Sequence, residues 1–186
     1  MLILASTSPR RQELLRNAGI EFEVQPANVA EEVVPGESPE RCAERLGAAK
    51  ASAVYDQRPD CQVLGADTLV VVGEEILGKP VDALDAARML RLLSGRQHRV
   101  ITGVCLLTPG HPPWKTVRHE ITHVTMGQLT DEEINRYVAS GEPMDKAGAY
   151  AIQGFASRWI PRIEGCYFNV VGLPISLVYG MLRDRS

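Results

Sequence analysis

The sequence predicts an α/β fold built on a mixed sheet, and three observations carry that prediction. The run Val63 to Val72 is the most apolar segment and is rich in β-branched side chains, as a central strand is. A short apolar strand, Leu2 to Ala5, leads through a polar turn into a helix at Pro9. Farther on, two strand-like segments follow each other with no helix between them, so the order is not the strict alternation of a purely parallel sheet.

In chain order, the first helix starts at Pro9, carries Leu14, Leu15 and Ala18 on its apolar side, and stops at Gly19. Phe22 to Val24 reads as a second strand. Ser38-Pro39 opens an alanine-rich helix to about Tyr55, with Cys42, Leu46, Ala49 and Ala53 on one stripe and Arg58-Pro59-Asp60 closing it. After the strand Val63 to Val72, Gly73-Glu74-Glu75 turns the chain into Ile76-Leu77. A helix covers Asp82 to Leu93. Arg99 to Thr108 and Lys115 to Met126 form a hairpin across Pro109-Gly110-His111-Pro112-Pro113. Thr130-Asp131-Glu132-Glu133, in capping-box order, starts a helix over Asp131 to Ser140. Ile160 to Ile163 and Phe168 to Val171 are short strands, and Pro174 begins a closing helix. No internal repeat or low-complexity stretch occurs.

With 186 residues and no compositional break, the chain fits a single domain over residues 1–186, or two lobes sharing one sheet. Its 20 basic and 23 acidic residues leave a net charge of −3, which argues against a broad grip on nucleic acid or anionic lipid. Any bound anion must be held locally. Four cysteines, Cys42, Cys61, Cys105 and Cys166, lack a Cys-x-x-Cys pair, pointing to a reducing compartment and a cytoplasmic protein. The apolar start Met1 to Ala5 is too short for a signal sequence, and no stretch approaches the ~20 apolar residues of a membrane span. The sequence is also compatible with a homodimer.

Between the first strand and the first helix, Ser8 is a natural N-cap and Pro9 a natural first helical residue, so Arg10 and Arg11 fall in the first turn. That end of a helix already carries partial positive charge, and two arginines there are unfavourable unless an anion joins them. A phosphate resolves the conflict: backbone N–H groups, the hydroxyls of Ser6 and Ser8 and the guanidinium forks converge on one polyanion. The alternative is a pair of solvated arginines matched by surface carboxylates such as Glu13.

Asp67 lies inside an apolar strand, where an unpaired carboxylate costs several kcal/mol to desolvate. It needs a partner: a divalent cation carrying a triphosphate, an attacking water, or backbone amides at a strand bend. Lys79 in Gly78-Lys79-Pro80 is held between a flexible and a stiff residue, fit to present an ammonium to a leaving phosphate or simply to solvent. Lys50 borders the apolar stripe of its helix and points either into a cleft or out to water. Glu31 and Glu32 supply carboxylates in a loop-like stretch. Gln153, in the small-residue segment Asp145 to Gly154, carries a carboxamide that both donates and accepts, suited to the adjacent N–H and C=O of thymine or uracil, or to an ordinary structural role.

One motif misleads. His119-Glu120-Ile121-Thr122-His123 matches the zinc-protease pattern letter for letter, but that pattern needs a helix, and β-branched neighbours predict a strand on which residues four apart stand ~13 Å apart. Neither a Walker-type phosphate loop nor a dinucleotide-binding glycine fingerprint occurs.

Taken together, Leu4-Ala5-Ser6-Thr7-Ser8-Pro9-Arg10-Arg11, Gly65-Ala66-Asp67-Thr68, Gly78-Lys79-Pro80, Asp145 to Gly154 and Val171-Gly172-Leu173-Pro174 resemble the Maf family, the septum formation inhibitor-like nucleotide pyrophosphatases. The match covers essentially the whole chain and points to the dTTP/UTP branch. The resemblance implies an inosine-triphosphatase-like (Maf/Ham1) fold: an elongated mixed sheet with helices in two lobes around a nucleotide cleft. It implies hydrolysis of dTTP and UTP to monophosphate and pyrophosphate with a divalent cation, Mg²⁺ or Mn²⁺, and a house-cleaning or cell-division-arrest role. Asp67 falls on the family's proton-acceptor position, and Glu31, Lys50 and Lys79 on positions linked to catalysis or phosphate binding. Arg11, Thr68 and Gln153 fall on positions associated with preference for dTTP and UTP.

Ala30 stands where relatives often carry an acidic residue, and Ala151 replaces a frequent glycine. The expected mechanism has the cation joining the phosphates to Asp67 and Glu31, water attacking the α-phosphorus, and Lys50, Lys79 and Arg10 offsetting the growing charge. Two alternatives stay open at this point: a 7-methyl-GTP pyrophosphatase of the same family, and a non-catalytic nucleotide-binding regulator.

Overall fold

A computed structural model describes residues 1–184 of the chain. Seven strands form one mixed sheet. β1 (Leu2–Leu4) pairs in parallel with β2 (Glu23–Val24) on one side and with β3 (Gln62–Val72) on the other, Ile3 lying opposite Glu23 and Val63. β4 (Glu75–Leu77) turns back antiparallel on the far end of β3, with Val71 opposite Ile76. β5 (Gln97–Thr108), β6 (Trp114–Thr125) and β7 (Arg162–Glu164) complete the order β2-β1-β3-β5-β6-β7. The predicted central strand is thus central, and the predicted hairpin strands are neighbours.

The chain divides into two compact units, each discontinuous in sequence. The first comprises Met1–Thr68, Thr102–Glu120 and the residues from Gly172 on; the second comprises Leu69–Ile101 and Ile121–Val171. In the first unit, α1 (Pro9–Asn17) follows β1, and α2 (Pro39–Tyr55), capped by Ser38, covers a core that includes Ile3, Ala51, Val54, Val63 and Cys105. α2 approaches the sheet so closely that side chains are missing on both sides. A Cβ on Gly65 would stand 2.3 Å from the Gly47 carbonyl oxygen, and one on Gly103 2.2 Å from that of Ala43. Glycines on the sheet therefore set the depth at which α2 sits.

In the second unit, α3 (Ala83–Leu93, capped by Asp82) and α4 (Asp131–Ala139) pack over an apolar core. Thr130 and Glu133 make the reciprocal capping box that the sequence predicts. Tyr137, Phe155 and Trp159 form an aromatic cluster with ring centroids 5.3–5.5 Å apart.

Two expectations change. Phe168 to Val171 is not a strand but part of a short helix, α5 (Tyr167–Val171). Its Asn169 is fully buried and donates from Nδ2 to the Val100 carbonyl and to Thr122 Oγ1, at 2.9 and 3.0 Å. That inward amide fixes one helical turn in place of an alternating strand. Pro161, which has no N–H for a ladder, lies outside β7, so the strand starts at Arg162. The closing helix is α6 (Ile175–Arg183). Among the described residues no helix is long and apolar enough to cross a membrane.

Candidate functional site

The turn between β1 and α1 is organised by its own serines. Ser8 Oγ accepts from the Arg11 N–H at 3.5 Å, and the Ser8 N–H donates to Ser6 Oγ at 3.2 Å. With no acidic residue in its first turn, the helix start holds two arginines, and they part company. Arg11, only 8% exposed, folds inward. Its Nε donates to the Gly172 carbonyl at 2.8 Å, Nη1 to the Ala66 carbonyl at 2.9 Å and to Ser6 Oγ at 3.2 Å, and Nη2 to Thr68 Oγ1 at 3.0 Å. Burial lowers the pKa of this guanidinium, and the carboxylates of Asp67 and Glu31 work against that shift. Arg10 stays half-buried at the helix start.

Thr68 is the hub on the strand side. Besides receiving Arg11, its hydroxyl lies 3.0 Å from Thr102 Oγ1 and 3.3 Å from the Gly172 carbonyl oxygen. Thr102 has no side-chain exposure at all. Its signal in the sequence is a lone hydroxyl in an apolar strand, whereas Gly172 contributes only backbone and leaves no side-chain signal.

One residue before Thr68, Asp67 points to the partner that its burial demands. Lys50 Nζ lies 2.6 Å from Asp67 Oδ1 and 2.6 Å from Glu31 Oε1. Lys50 and Asp67 are 8% and 6% exposed, while the Glu31 side chain is 46% exposed. The ammonium is thus a bridge between an inner and an outer carboxylate. Arg45, one and a half turns before Lys50 on α2, holds the loop that delivers Glu31. Its Nη2 donates to the Glu32 carbonyl at 2.9 Å, and its fork takes both oxygens of Glu37 at 2.8–3.2 Å. Those hydrogen bonds keep the Glu37 carboxyl below its usual range. Sequence reading missed Arg45, because nothing in an arginine's spacing reveals a carbonyl thirteen residues upstream.

Ser8, Arg10, Arg11, Thr68, Glu31, Lys50 and Asp67 all belong to the first unit; Lys79 and Gln153 belong to the second. Both of the latter are exposed. The Gly78 carbonyl beside Lys79 accepts from the Gly148 N–H at 3.0 Å, and Gly148, at φ 69, lies against Val70 where a Cβ would come within 2.8 Å. Ala151, two residues before Gln153, is buried.

Chemically, Asp67 and Glu31 are two hard oxygen donors of the kind Mg²⁺ uses together with phosphate oxygens and water. No group of three or more His, Cys, Asp or Glu side chains able to hold a metal exists among the described residues. These two carboxylates therefore fit a cation that arrives with a phosphate ligand rather than one caged by protein alone. His119 and His123 lie on β6, as the β-branched sequence predicts, and His119 Nδ1 is 2.8 Å from Glu44 Oε1.

Comparison with known proteins agrees with the motifs. The chain is 56% identical over 182 residues to the dTTP/UTP pyrophosphatase of Koribacter versatilis, covering 98% of this chain and 93% of that protein. It is 49% identical over 185 residues to the dTTP/UTP pyrophosphatase of Aquifex aeolicus, covering 100% and 95%. Among solved structures, a HAM1 protein from Coxiella burnetii is similar at a TM-score of 0.45 with 18% identity, over 80% of this chain and 85% of that one. The family described as Maf-like protein matches residues 1–185. The motifs, the relatives and that match across nearly every residue lead to one conclusion: the chain belongs to the Maf-like protein family.

Proposed function

We propose that this chain is a nucleoside triphosphate pyrophosphatase that hydrolyses dTTP and UTP to the monophosphate and pyrophosphate. The observation that carries the reading is the Lys50 ammonium held 2.6 Å from both Asp67 and Glu31. The full-length relatives that bear the name dTTP/UTP pyrophosphatase supply the substrate.

The phosphates are received at the start of α1. Ser6 Oγ and Ser8 Oγ accept hydrogen bonds from the protein, which leaves each hydroxyl proton to donate to a phosphate oxygen. Arg10 and the helix terminus add positive charge. Asp67 takes the proton of the attacking water as its oxygen bonds to the α-phosphorus; the α–β bridging bond breaks, and its electrons leave with pyrophosphate. Lys50 holds Asp67 in place and neutralises charge between the carboxylates, and Lys79 serves the leaving phosphates. A Mg²⁺ or Mn²⁺ ion held by Asp67 and Glu31 would supply the remaining charge neutralisation on the triphosphate.

Base preference is assigned to Gln153 and, through Thr68, to Arg11. Four of the five N–H donors of Arg11 are already given to protein acceptors, so its influence on the nucleotide runs mainly through the Thr68 hydroxyl. We place the protein in the cytoplasm, a reading supported by its four free cysteines.

The test is a panel of nucleoside triphosphates with Mg²⁺ and identification of both products. Monophosphate plus pyrophosphate from dTTP and UTP is expected; diphosphate plus phosphate would rule out the proposed bond. Asp67→Asn should lower turnover at least about 100-fold with nucleotide binding retained. Near-normal turnover in that variant removes Asp67 as the base.

A further inference from the structure

The second unit contains a hydrogen-bonded bracket that the chemistry above does not use. Tyr137, fully buried on α4, donates its O–H to Glu142 Oε1 at 2.9 Å and accepts from the Ala151 N–H at 3.2 Å. Glu142, in a 3-10 turn over Glu142–Asp145, accepts from the Phe155 N–H through Oε1 at 3.1 Å and Oε2 at 3.4 Å. One Tyr–Glu pair therefore holds the backbone two residues before Gln153 and two residues after it.

The segment between these anchors is built to expose one side chain. Ala151 and Ile152 are buried and Gln153 is exposed. Gly154 makes room for the bracket: a Cβ there would stand 2.1 Å from Glu142 Oε1 and 2.8 Å from its Cδ. The carboxylate reaches Phe155 only because residue 154 has no side chain. Burial raises the pKa of the Tyr137 phenol, so it stays a hydrogen-bond donor at any working pH. A carboxylate that accepts from an N–H and an O–H at once is also a charge-assisted, directional anchor, stronger than a turn held by backbone alone.

We propose that Tyr137 and Glu142 are positioning residues for nucleobase selection, fixing the Gln153 carboxamide in the orientation that meets the edge of a pyrimidine. The inference rests on the reading of Gln153 as the base-contacting residue. A bracket that served only stability would change all nucleotides alike; one that aims Gln153 changes pyrimidines selectively.

Tyr137→Phe is the first variant, because the ring keeps its stacking on Phe155 and its edge contact with Trp159. Loss of one such hydrogen-bonding group should raise KM for dTTP and UTP about fivefold, with kcat within about twofold and purine triphosphates unaffected. Glu142→Ala should act in the same direction and more strongly. Glu142→Gln should restore most of the loss, since its amide oxygen can still accept from both Tyr137 and Phe155. In a Gln153→Ala background, Tyr137→Phe should add nothing to KM.

Additive losses, or equal changes for purines and pyrimidines, overturn the positioning role while leaving Gln153 as the base contact. If Gln153→Ala itself leaves pyrimidine preference unchanged, the reading of Gln153 falls and the bracket proposal falls with it. Circular dichroism and thermal melting check each variant, and if Tyr137→Phe does not fold, the Glu142→Ala and Glu142→Gln pair decides the question.

Discussion

Lys50 on α2 holds Asp67 on β3 at 2.6 Å, across a close helix-to-sheet approach in the first unit. The two residues are seventeen apart in sequence and meet because Gly47 and Gly65 let α2 and β3 come into backbone contact. An ammonium and a carboxylate that are 8% and 6% exposed are each costly alone, so each is retained by the other.

Lys50→Met should therefore reveal the cost of two adjacent carboxylates without their cation. Removing one partner of a buried pair is expected to lower stability by about 3 kcal/mol, a fall of roughly 6–12 °C in Tm for a chain of this size. Adding Asp67→Asn to the same chain should recover part of that loss, because the uncompensated charge is gone. Equal melting temperatures for the wild type and Lys50→Met would show that the pair does not contribute.

Gly65→Ala tests the depth of α2. A methyl group 2.3 Å from the Gly47 carbonyl oxygen and 2.6 Å from the Ala51 nitrogen meets backbone rather than a movable side chain. Overpacking of this kind costs on the order of 2 kcal/mol or more and should push Lys50 away from Asp67. The expected outcome is a lower urea midpoint together with reduced turnover, measured on the same preparation; a destabilised variant with full turnover would separate packing from chemistry.

Arg11→Lys asks whether a charge or a fork is needed. An ammonium cannot satisfy the carbonyls of Ala66 and Gly172 together with the hydroxyls of Ser6 and Thr68 from one point. Losing two or three of these bonds should cost about 2–3 kcal/mol in urea unfolding. Retention of wild-type stability would show that Arg11 is not the internal tie its hydrogen bonds describe.

A pH effect should arise from His98 in the second unit. Its Nε2 lies 2.8 Å from the Tyr150 hydroxyl, its Nδ1 has no hydrogen-bond partner, and burial pushes its pKa down to about 4 from an ordinary 6.5. The unfolded chain takes up this proton first. Stability is thus unaffected by His98 above about pH 6.5 and declines as the pH falls towards 4, by roughly 2 kcal/mol at about pH 5. Urea unfolding of wild type and His98→Gln at pH 7 and pH 5 should show a shallower slope for the variant; identical slopes would assign the effect elsewhere.

Much of this was legible in the sequence for physical reasons. β3 and α2 were plain because β-branched continuity and an alanine-rich stripe are strong periodic signals, and Ser8 and Thr130 cap the helices their positions predicted. Asp67 announced itself as a carboxylate in an apolar strand that needed a partner. What stayed hidden was which partner, since a lysine at a helix margin gives no sign of the strand it faces. The helix at Tyr167–Val171 was hidden too, because Asn169 decides it through contacts with Val100 and Thr122, far away in sequence. The internal partners of Arg11 were hidden as well, because two carbonyls and the Thr68 hydroxyl, all distant in sequence, supply them alongside Ser6.

The bond from Arg11 Nε to the Gly172 carbonyl joins residues 161 apart. A ribosome that has made everything before residue 172 has already released the turn between β1 and α1 but not the oxygen that completes its anchorage. During synthesis, that guanidinium lacks this acceptor until residue 172 has been made. A prematurely terminated product would expose an unsatisfied cation beside an unfinished core and be a target for proteolysis rather than a weakly active hydrolase. Translation through residue 172 is, in this molecule, a precondition for completing the anchorage of its first turn.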